Sequence, residues 1–551
     1  MKIALRVIPF AVLAVLLSCH WAKEPVDLLV RNAHIICLDG GGTQAQAMAI
    51  HKGEIVAIGK EYEILNAFRS EAVEDVQGAT IYPGLIDAHS HLLGYALNLS
   101  QTDLVGTMSW EEVLEKLVDE HTASTSLWVR GRGWDQNDWA IPEFPDRREL
   151  DRLFPNRPVV LHRIDGHAVL ANRCAMEKTG VWNAQAVRGG EILRRADGTP
   201  TGVLIDGAAD SLLARIPEPS AQTKVAALRR AQKLLVALGL TTVTDAGLEL
   251  SDISLLDSLH QSGDLKLRVV AMANPSESNF LAMAKRGGWD TPRLKAQAFK
   301  FYMDGALGSR GAALLEAYDD RPGHRGTLLQ SIEDYEAQLR RIHASGFQAA
   351  THAIGDSAVR LVLQAYKRVL GGPNDHRWRV EHAQVIHPDD LNRFGESSII
   401  PSVQPTHATS DMYWAGTRLG RGRIRRAYAY ADLRDELGMI PLGTDFPVED
   451  VDPRKTFLAA VSRQDVNRFP EKGFHLDQAL SPREAMLGMT LWASLASRTE
   501  DLVGSLEVGK RADFLVTNRD WIKLADPHEV LDVEIVKTFI DGLQVFPPLI
   551  P

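Results

Sequence analysis

Two kinds of hydrophobic patterning alternate along this chain. Both ends are built of short β-branched runs broken by glycine turns: "DLLVRNAHIICLDG" and "QAMAIHKGEIVAIG" near the start, "GSLEVGKRADFLVTNRD" and "VLDVEIVKTFIDGLQVF" near the finish. This texture predicts a small β-sandwich assembled from both ends, residues 27–83 and 504–547. The middle alternates apolar strand-like runs with stretches of helical period, as at 332–344 and 357–370. Strands are predicted at 84–89, 241–246, 265–274, 298–305, 347–353, 377–383, 399–407 and 439–446. Strands alternating with helices in this number make an α/β fold, a TIM (β/α)8 barrel over 84–503. The gap after the first strand is too long for a structureless loop, so an insertion with its own structure is expected at about 100–235.

The first residues follow neither pattern. Lys2 and Arg6 precede an apolar stretch from Val7 to Leu17, shorter than the roughly 20 residues of a spanning helix. It suits a signal-peptide core, and Leu16-Leu17-Ser18-Cys19 resembles a bacterial lipobox, with 1–19 as the signal segment. Export to the cell envelope is therefore expected, with a lipid anchor on Cys19 holding the protein to a membrane. The alternatives are plain secretion, into the periplasm, and an ordinary cytosolic N-terminus. Cys37 and Cys174 are the remaining cysteines, and their spacing favours no disulfide.

Composition narrows the field of functions. Over 551 residues, 45% hydrophobic and 24% charged, the net charge of −10 is spread along the chain rather than gathered in a tail. Because no basic stripe carries interleaved aromatics, nucleic-acid binding has no support. A small-molecule substrate is the expected partner, and a homodimer is compatible with the pattern.

Unusual polar residues fall near the C-terminal ends of the predicted strands, where barrel enzymes build their sites. His89 and His91 close the first strand as "DAHSH", and residues at i and i+2 of an extended chain share a side, so both imidazoles can reach one metal. Lys300 lies in the fourth strand, His352 in the fifth, His382 in the sixth and Asp445 in the eighth. A lysine inside a core strand such as "AFKFYMDG" needs a partner; the bland option is an ion pair with Asp445 or Asp304. Each of these residues alone has an ordinary packing explanation. Together at the strand ends they mark a metal site.

The segments "YPGLIDAHSHLLG", "KFYMDGALGSRGAAL", "THAIGD", "RVEHAQ", "QPTHATSD" and "LGTDFPVE" resemble the motifs of the amidohydrolase superfamily. More narrowly they resemble amidohydrolase family 3, the group of N-substituted formamide deformylase-like proteins, from about Asp27 to Lys537. The resemblance implies a metal-dependent hydrolase of a non-peptide C–N bond, of amide or formamide type. It implies one or two divalent ions, zinc by default, with iron, manganese or cobalt compatible with the same ligands. His89, His91 and Asp445 would hold the more buried ion, and His352 and His382 a second. Lys300 would bridge them as a carbamate; a one-metal site with an uncarboxylated Lys300 is the alternative.

Asp445 would take a proton from the attacking water and pass it to the leaving nitrogen. His407, after the seventh strand, would contact substrate and help polarise its carbonyl. Trp134 and Asp135, beside Gln136 in "GRGWDQNDW", and His167 in "RIDGHAVLAN" would fold over the pocket as substrate-binding residues. Asp304 is a further substrate-side candidate that would orient Lys300, and Asp356 would orient His352. Two competing functions remain open at this level. One is a deaminase of the same superfamily, disfavoured by Lys300 and by the lack of a Glu shortly before His352. The other is a catalytically silent envelope binding protein.

Overall fold

The computed structural model describes residues 23–121, 127–185, 187 and 189–548. Cys19 and the expected signal segment lie outside the described residues. Seven parallel strands form the central sheet in sequence order: β1 (Leu85–Ser90), β2 (Leu240–Leu248), β3 (Arg268–Ala273), β4 (Leu294–Tyr302), β5 (Gln348–Ala353), β6 (Arg379–His382) and β7 (Ile400–Ser402). Near-continuous apolar composition suits strands buried on both faces. Helices such as Ile332–Ala344 and Asp356–Leu370 cover the outside. The second of these buries Val359, Val362, Leu363 and Tyr366, a stripe at helical spacing. Each such side chain contributes about 1.5–3 kcal/mol of apolar burial before the entropy of ordering is set against it.

The eighth position differs from the expectation. Residues 439–446 form no regular strand; Leu442 pairs with Val403 in a single parallel bridge. Ala88 N donates to Leu442 O at 3.1 Å, and Asp445 N to His89 O at 2.7 Å, so this segment still closes the ring against β1. Gly443 allows the approach, because a Cβ there would lie 2.5 Å from His89 N. Two strand ends also move. β4 stops at Tyr302, leaving Asp304 beyond it, and β7 stops at Ser402, with Pro405 opening the short helix Pro405–Asp411 that carries His407.

The long connection from β1 to β2 folds its own six-stranded sheet. Its order is Thr102–Asp103, Val129–Trp134, Val159–Arg163, Ala168–Ala171, Pro200–Asp206 and Gly190–Arg194. Leu104, Leu117, Val129, Trp134, Leu161 and Leu170 pack one of its faces. A separate β layer draws on both ends of the chain. A four-stranded and a six-stranded sheet pack through Val30, Ile35, Met48, Ile81, Phe514 and Phe539, and the two Phe rings stack at 4.3 Å. The fold is thus a TIM-like barrel with an extra β domain. Arg268 at the start of β3 pairs with Asp513 at 2.5 Å and with Asp541, tying barrel to β layer. Cys37 and Cys174 are free thiols. Among the described residues no helix is long and apolar enough to cross a membrane.

Candidate metal centre

At the C-terminal mouth of the barrel, β1 delivers His89 fully buried, and His91, just past its end and capping the helix Leu92–Asn98, stands half-open to a cavity. Asp445 crosses from the closing segment: its Oδ1 lies 3.1 Å from His91 Nε2 and 3.6 Å from His89 Nε2. Donor atoms of His89, His91 and Asp445 all fall within 4.8 Å of one another. Lys300 projects from β4 with Nζ 3.0 Å from His89 Nε2, and no carboxylate takes it as an ion-pair partner among the described residues. His382 packs edge-on against both His352 at 4.5 Å and His89 at 5.1 Å, and lies nearly parallel to His407 at 5.8 Å.

The hydrogen bonds behind these rings fix which nitrogen faces inward. His91 Nδ1 meets the carbonyl of Ala246 at 2.9 Å, so it must donate, leaving Nε2 with its lone pair. His382 Nδ1 meets Gln404 Oε1 at 2.7 Å with the same consequence. His89 Nδ1 sits 2.6 Å from Glu381 Oε2. Burial opposes the charge on Glu381, yet Arg379, His89 and Lys300 hold its carboxyl well below the usual range. An anionic Glu381 accepts the Nδ1 proton and leaves His89 Nε2 basic, the arrangement that orients a metal-binding imidazole.

Burial dominates the titration of the remaining groups. It pushes Lys300 down to about 8 and His89 down to about 4, and it holds His352, His382 and His407 below the ordinary histidine value. Asp445 resists burial because His91, His89 and His382 keep it ionised, well below the ordinary carboxylate value. The centre therefore combines imidazoles, an anionic carboxylate and a lysine whose proton burial has loosened, a donor set suited to a divalent cation. Buried atoms facing this region that lack hydrogen-bond partners include His352 Nε2, His407 Nε2 and Asp445 Oδ1. Such orphans are costly without a ligand, so these residues fit a bound ion. His382 and Asp445 also hold left-handed backbone conformations, φ 72° and 62°, a strain of about 1–3 kcal/mol each that clusters at functional sites.

A cavity of about 890 Å³ opens over this floor, lined by His91, Lys300, His352, His382, His407 and Asp445. The insertion supplies one wall, with Arg132, Asp135, Arg163, Asp165 and His167. Asp135 lines the cavity but is held by Arg163, which also binds Asp165 at 2.6 Å and Gln136 at 2.9 Å. His167 Nδ1 bonds Asp206 at 2.8 Å; burial disfavours its charge, but Asp206 and Asp165 raise it to about 9.

Three expectations from the sequence are corrected. Trp134 does not line the cavity: it is fully buried, donates to Leu161 O at 3.0 Å and packs on Trp139 inside the insertion. The cause is a bulge at Gly133, φ 113°, which shifts the in–out alternation by one residue. Only glycine fits there, since a Cβ would lie 2.5 Å from Val105 Cγ2 and 2.7 Å from its backbone N. Asp304 is fully buried and orients neither substrate nor Lys300. Its carboxylate accepts from the backbone N–H groups of Ala313, Ile354 and Gly355 at 2.8–3.0 Å, holding the loop after β5. Asp356 likewise serves the backbone of Leu315 at 2.8 Å, not His352.

Residues at the site that sequence patterns did not single out are Arg379, Glu381, Tyr302 and Arg132. Arg379 and Glu381 stand at i and i+2 of a core strand, the same cue that singled out Lys300. Arg379 Nε meets Glu381 Oε1 at 2.7 Å with both side chains fully buried.

Comparison with known proteins agrees with this geometry. The family model described as the amidohydrolase family matches residues 72–546. The Protein LONG AFTER FAR-RED 3 of Arabidopsis thaliana is 32% identical over 95% of this chain and 92% of its own length. The N-substituted formamide deformylase of Arthrobacter pascens is 28% identical over 94% of this chain and 98% of its own. Among solved structures, an uncharacterized metal-dependent hydrolase from Pyrococcus horikoshii OT3 superposes with a TM-score of 0.74 at 25% identity, covering 90% of this chain and 98% of that one. The barrel, the buried histidine–aspartate floor and a match along most of its length make this chain a metal-dependent hydrolase of the amidohydrolase family.

Proposed function

We propose that this protein hydrolyses a carbon–nitrogen bond other than a peptide bond, an amide or formamide carried by a small molecule. The observation that carries this reading is the convergence of His89, His91 and Asp445 within 4.8 Å, with Lys300 beside them, at the floor of a substrate-sized cavity. The similarity to an N-substituted formamide deformylase supports the bond class. A divalent cation held by His89, His91 and Asp445, zinc by the preference of imidazole-rich sites, supplies Lewis-acid activation of water and of the substrate carbonyl.

The chain's own residues divide the remaining work. Asp445, kept anionic, accepts the water's proton at a carboxylate oxygen and returns it to the leaving nitrogen. His407, with its unpartnered Nε2 facing the cavity, positions the substrate carbonyl. Lys300, its proton loosened by burial, attacks carbon dioxide in its free-amine form through the nitrogen lone pair and loses a proton, forming an N–C bond and a carbamate. The carbamate's two oxygens, sharing one negative charge, would join His89, His91 and Asp445 in holding one cation and His352 and His382 in holding a second. The protein acts in the cell envelope, anchored through Cys19.

The test is an activity screen of metal-loaded protein against formamides, simple amides and hydantoins, with and without a strong chelator. Release of amine that stops with the chelator and returns with metal supports the reading. Fully metallated protein that leaves every amide intact, yet releases ammonia from aminopurines, would replace it with deamination.

A further inference from the structure

The cations on the cavity wall differ in what they are bound to. Arg163 is consumed by Asp135, Asp165 and Gln136, and His167 by Asp206. Lys455 pairs with Asp450 at 2.5 Å, and Arg230 sits exposed at the rim on the carbonyl of Leu99. Among the described residues Arg132, like Lys300 on the floor and Arg230 at the rim, has no carboxylate ion-pair partner, but it sits half-buried in the wall. Its Nη2 donates to the carbonyl of Ile164 at 2.9 Å, and its buried Nε has no partner among the described residues.

The local fold leaves this guanidinium facing the cavity. Arg132 lies one residue before the bulge at Gly133, so it stays on the face opposite the buried Val129 and Trp134. Gly166 passes beside it: an added Cβ there would lie in contact with the fork, 3.7 Å from Nη1 and 3.9 Å from Nη2, so glycine keeps a side chain off the guanidinium. Ile164, Asp165 and His167 from the same turn line the cavity with it. Arg132 interacts electrostatically with Asp165, which Arg163 already pairs, and with Asp445 on the floor. A half-buried guanidinium with free donors is a planar fork for a carboxylate.

We propose that Arg132 selects substrates bearing a carboxylate, held on its guanidinium while the scissile amide reaches His89, His91 and Asp445. This rests on the C–N hydrolase reading above and narrows it to amides of carboxylate-bearing amines, N-acyl amino acids among them. Arg132 is a specificity residue in this account and takes no part in bond cleavage.

Binding separates this proposal from the activity itself. Titration calorimetry on the metal-loaded protein compares N-formylphenylalanine with N-formylphenylalaninamide, its neutral counterpart of nearly equal size. A charge-assisted pair predicts that wild type binds the carboxylate at least about tenfold tighter, with the advantage shrinking as salt rises. Arg132→Met should bind both alike and keep the wild-type affinity for the amide. Equal binding of both compounds by wild type overturns the proposal whether or not the variant folds, as does a preference that survives in a folded variant. If the preference is present but neither compound is hydrolysed, the carboxylate site stands and the proposed reaction fails.

Discussion

Glu381 Oε2 lies 2.6 Å from His89 Nδ1, and neither side chain has any solvent exposure. This contact sets the tautomer of the most buried imidazole and turns its Nε2 toward Lys300 and Asp445. Glu381→Gln should therefore lower metal affinity by about 10–100-fold, as loss of an orienting carboxylate does. It also leaves the buried Arg379 without its counter-charge, a cost of about 3–5 kcal/mol. Competition with a chromophoric chelator, alongside thermal unfolding, measures both effects. Unchanged metal affinity in a folded variant would mean that His89 is oriented by its packing alone.

Asp445→Asn and Lys300→Ala should fail in different ways. The first removes the proton acceptor while the imidazoles remain, so activity should fall by about 10²–10⁴-fold with metal partly retained. The second should lose most activity and metal together, and a short carboxylic acid should restore part of both by filling the bridging position. Bicarbonate should speed reconstitution of the wild-type apoprotein. Full activity and metal content in Lys300→Ala would rule out the carbamate bridge.

Much of this centre is legible in the amino-acid sequence. The histidines of "DAHSH", Lys300 in an apolar strand, and His352, His382 and Asp445 near the strand ends all meet at one cavity floor. What escapes a sequence reading follows from backbone detail that residue patterns do not carry. A single bulge at Gly133 moves Trp134 into the insertion's core. The segment at 439–446 closes the ring with isolated bonds in place of a ladder, because Gly443 must run against β1. Asp304 falls past the end of β4 and is taken up by three backbone N–H groups. Glu381 carries a readable signal, since a charge inside a core strand demands a partner, but the adjacent His382 is the stronger cue for metal chemistry.

Glu449 gives a pH dependence of definite sign. It accepts from Ser410 Oγ at 2.6 Å beside His407, and burial raises it from 4.5 to about 8. A carboxyl raised in the fold keeps its proton while the unfolded chain releases one, so its contribution to stability falls as pH rises from 4.5 to about 8. Above that window the penalty is constant. In chelator-treated protein, Glu449→Gln should raise Tm relative to wild type more at about pH 8.5 than at about pH 5. A Tm difference that is flat with pH would show that Glu449 is ionised across the whole range.

The envelope reading is tested at Cys19. A diacyl anchor holds a protein firmly to a bilayer, whereas a single chain holds it only marginally. Wild type should enter the detergent phase, and Cys19→Ala should move to the aqueous phase. Identical partitioning of the two would reject the lipid anchor and leave plain export.

Metal content tests the central claim most directly. Elemental analysis of wild type, purified without chelators, should show about one to two equivalents of a divalent transition metal per chain. A His89→Ala, His91→Ala double variant, removing two of the three converging donors, should fall below about a tenth of an equivalent while keeping the fold. The account is contradicted if wild type itself carries less than about a tenth of an equivalent after growth with added zinc or manganese, or if the double variant binds metal as wild type does.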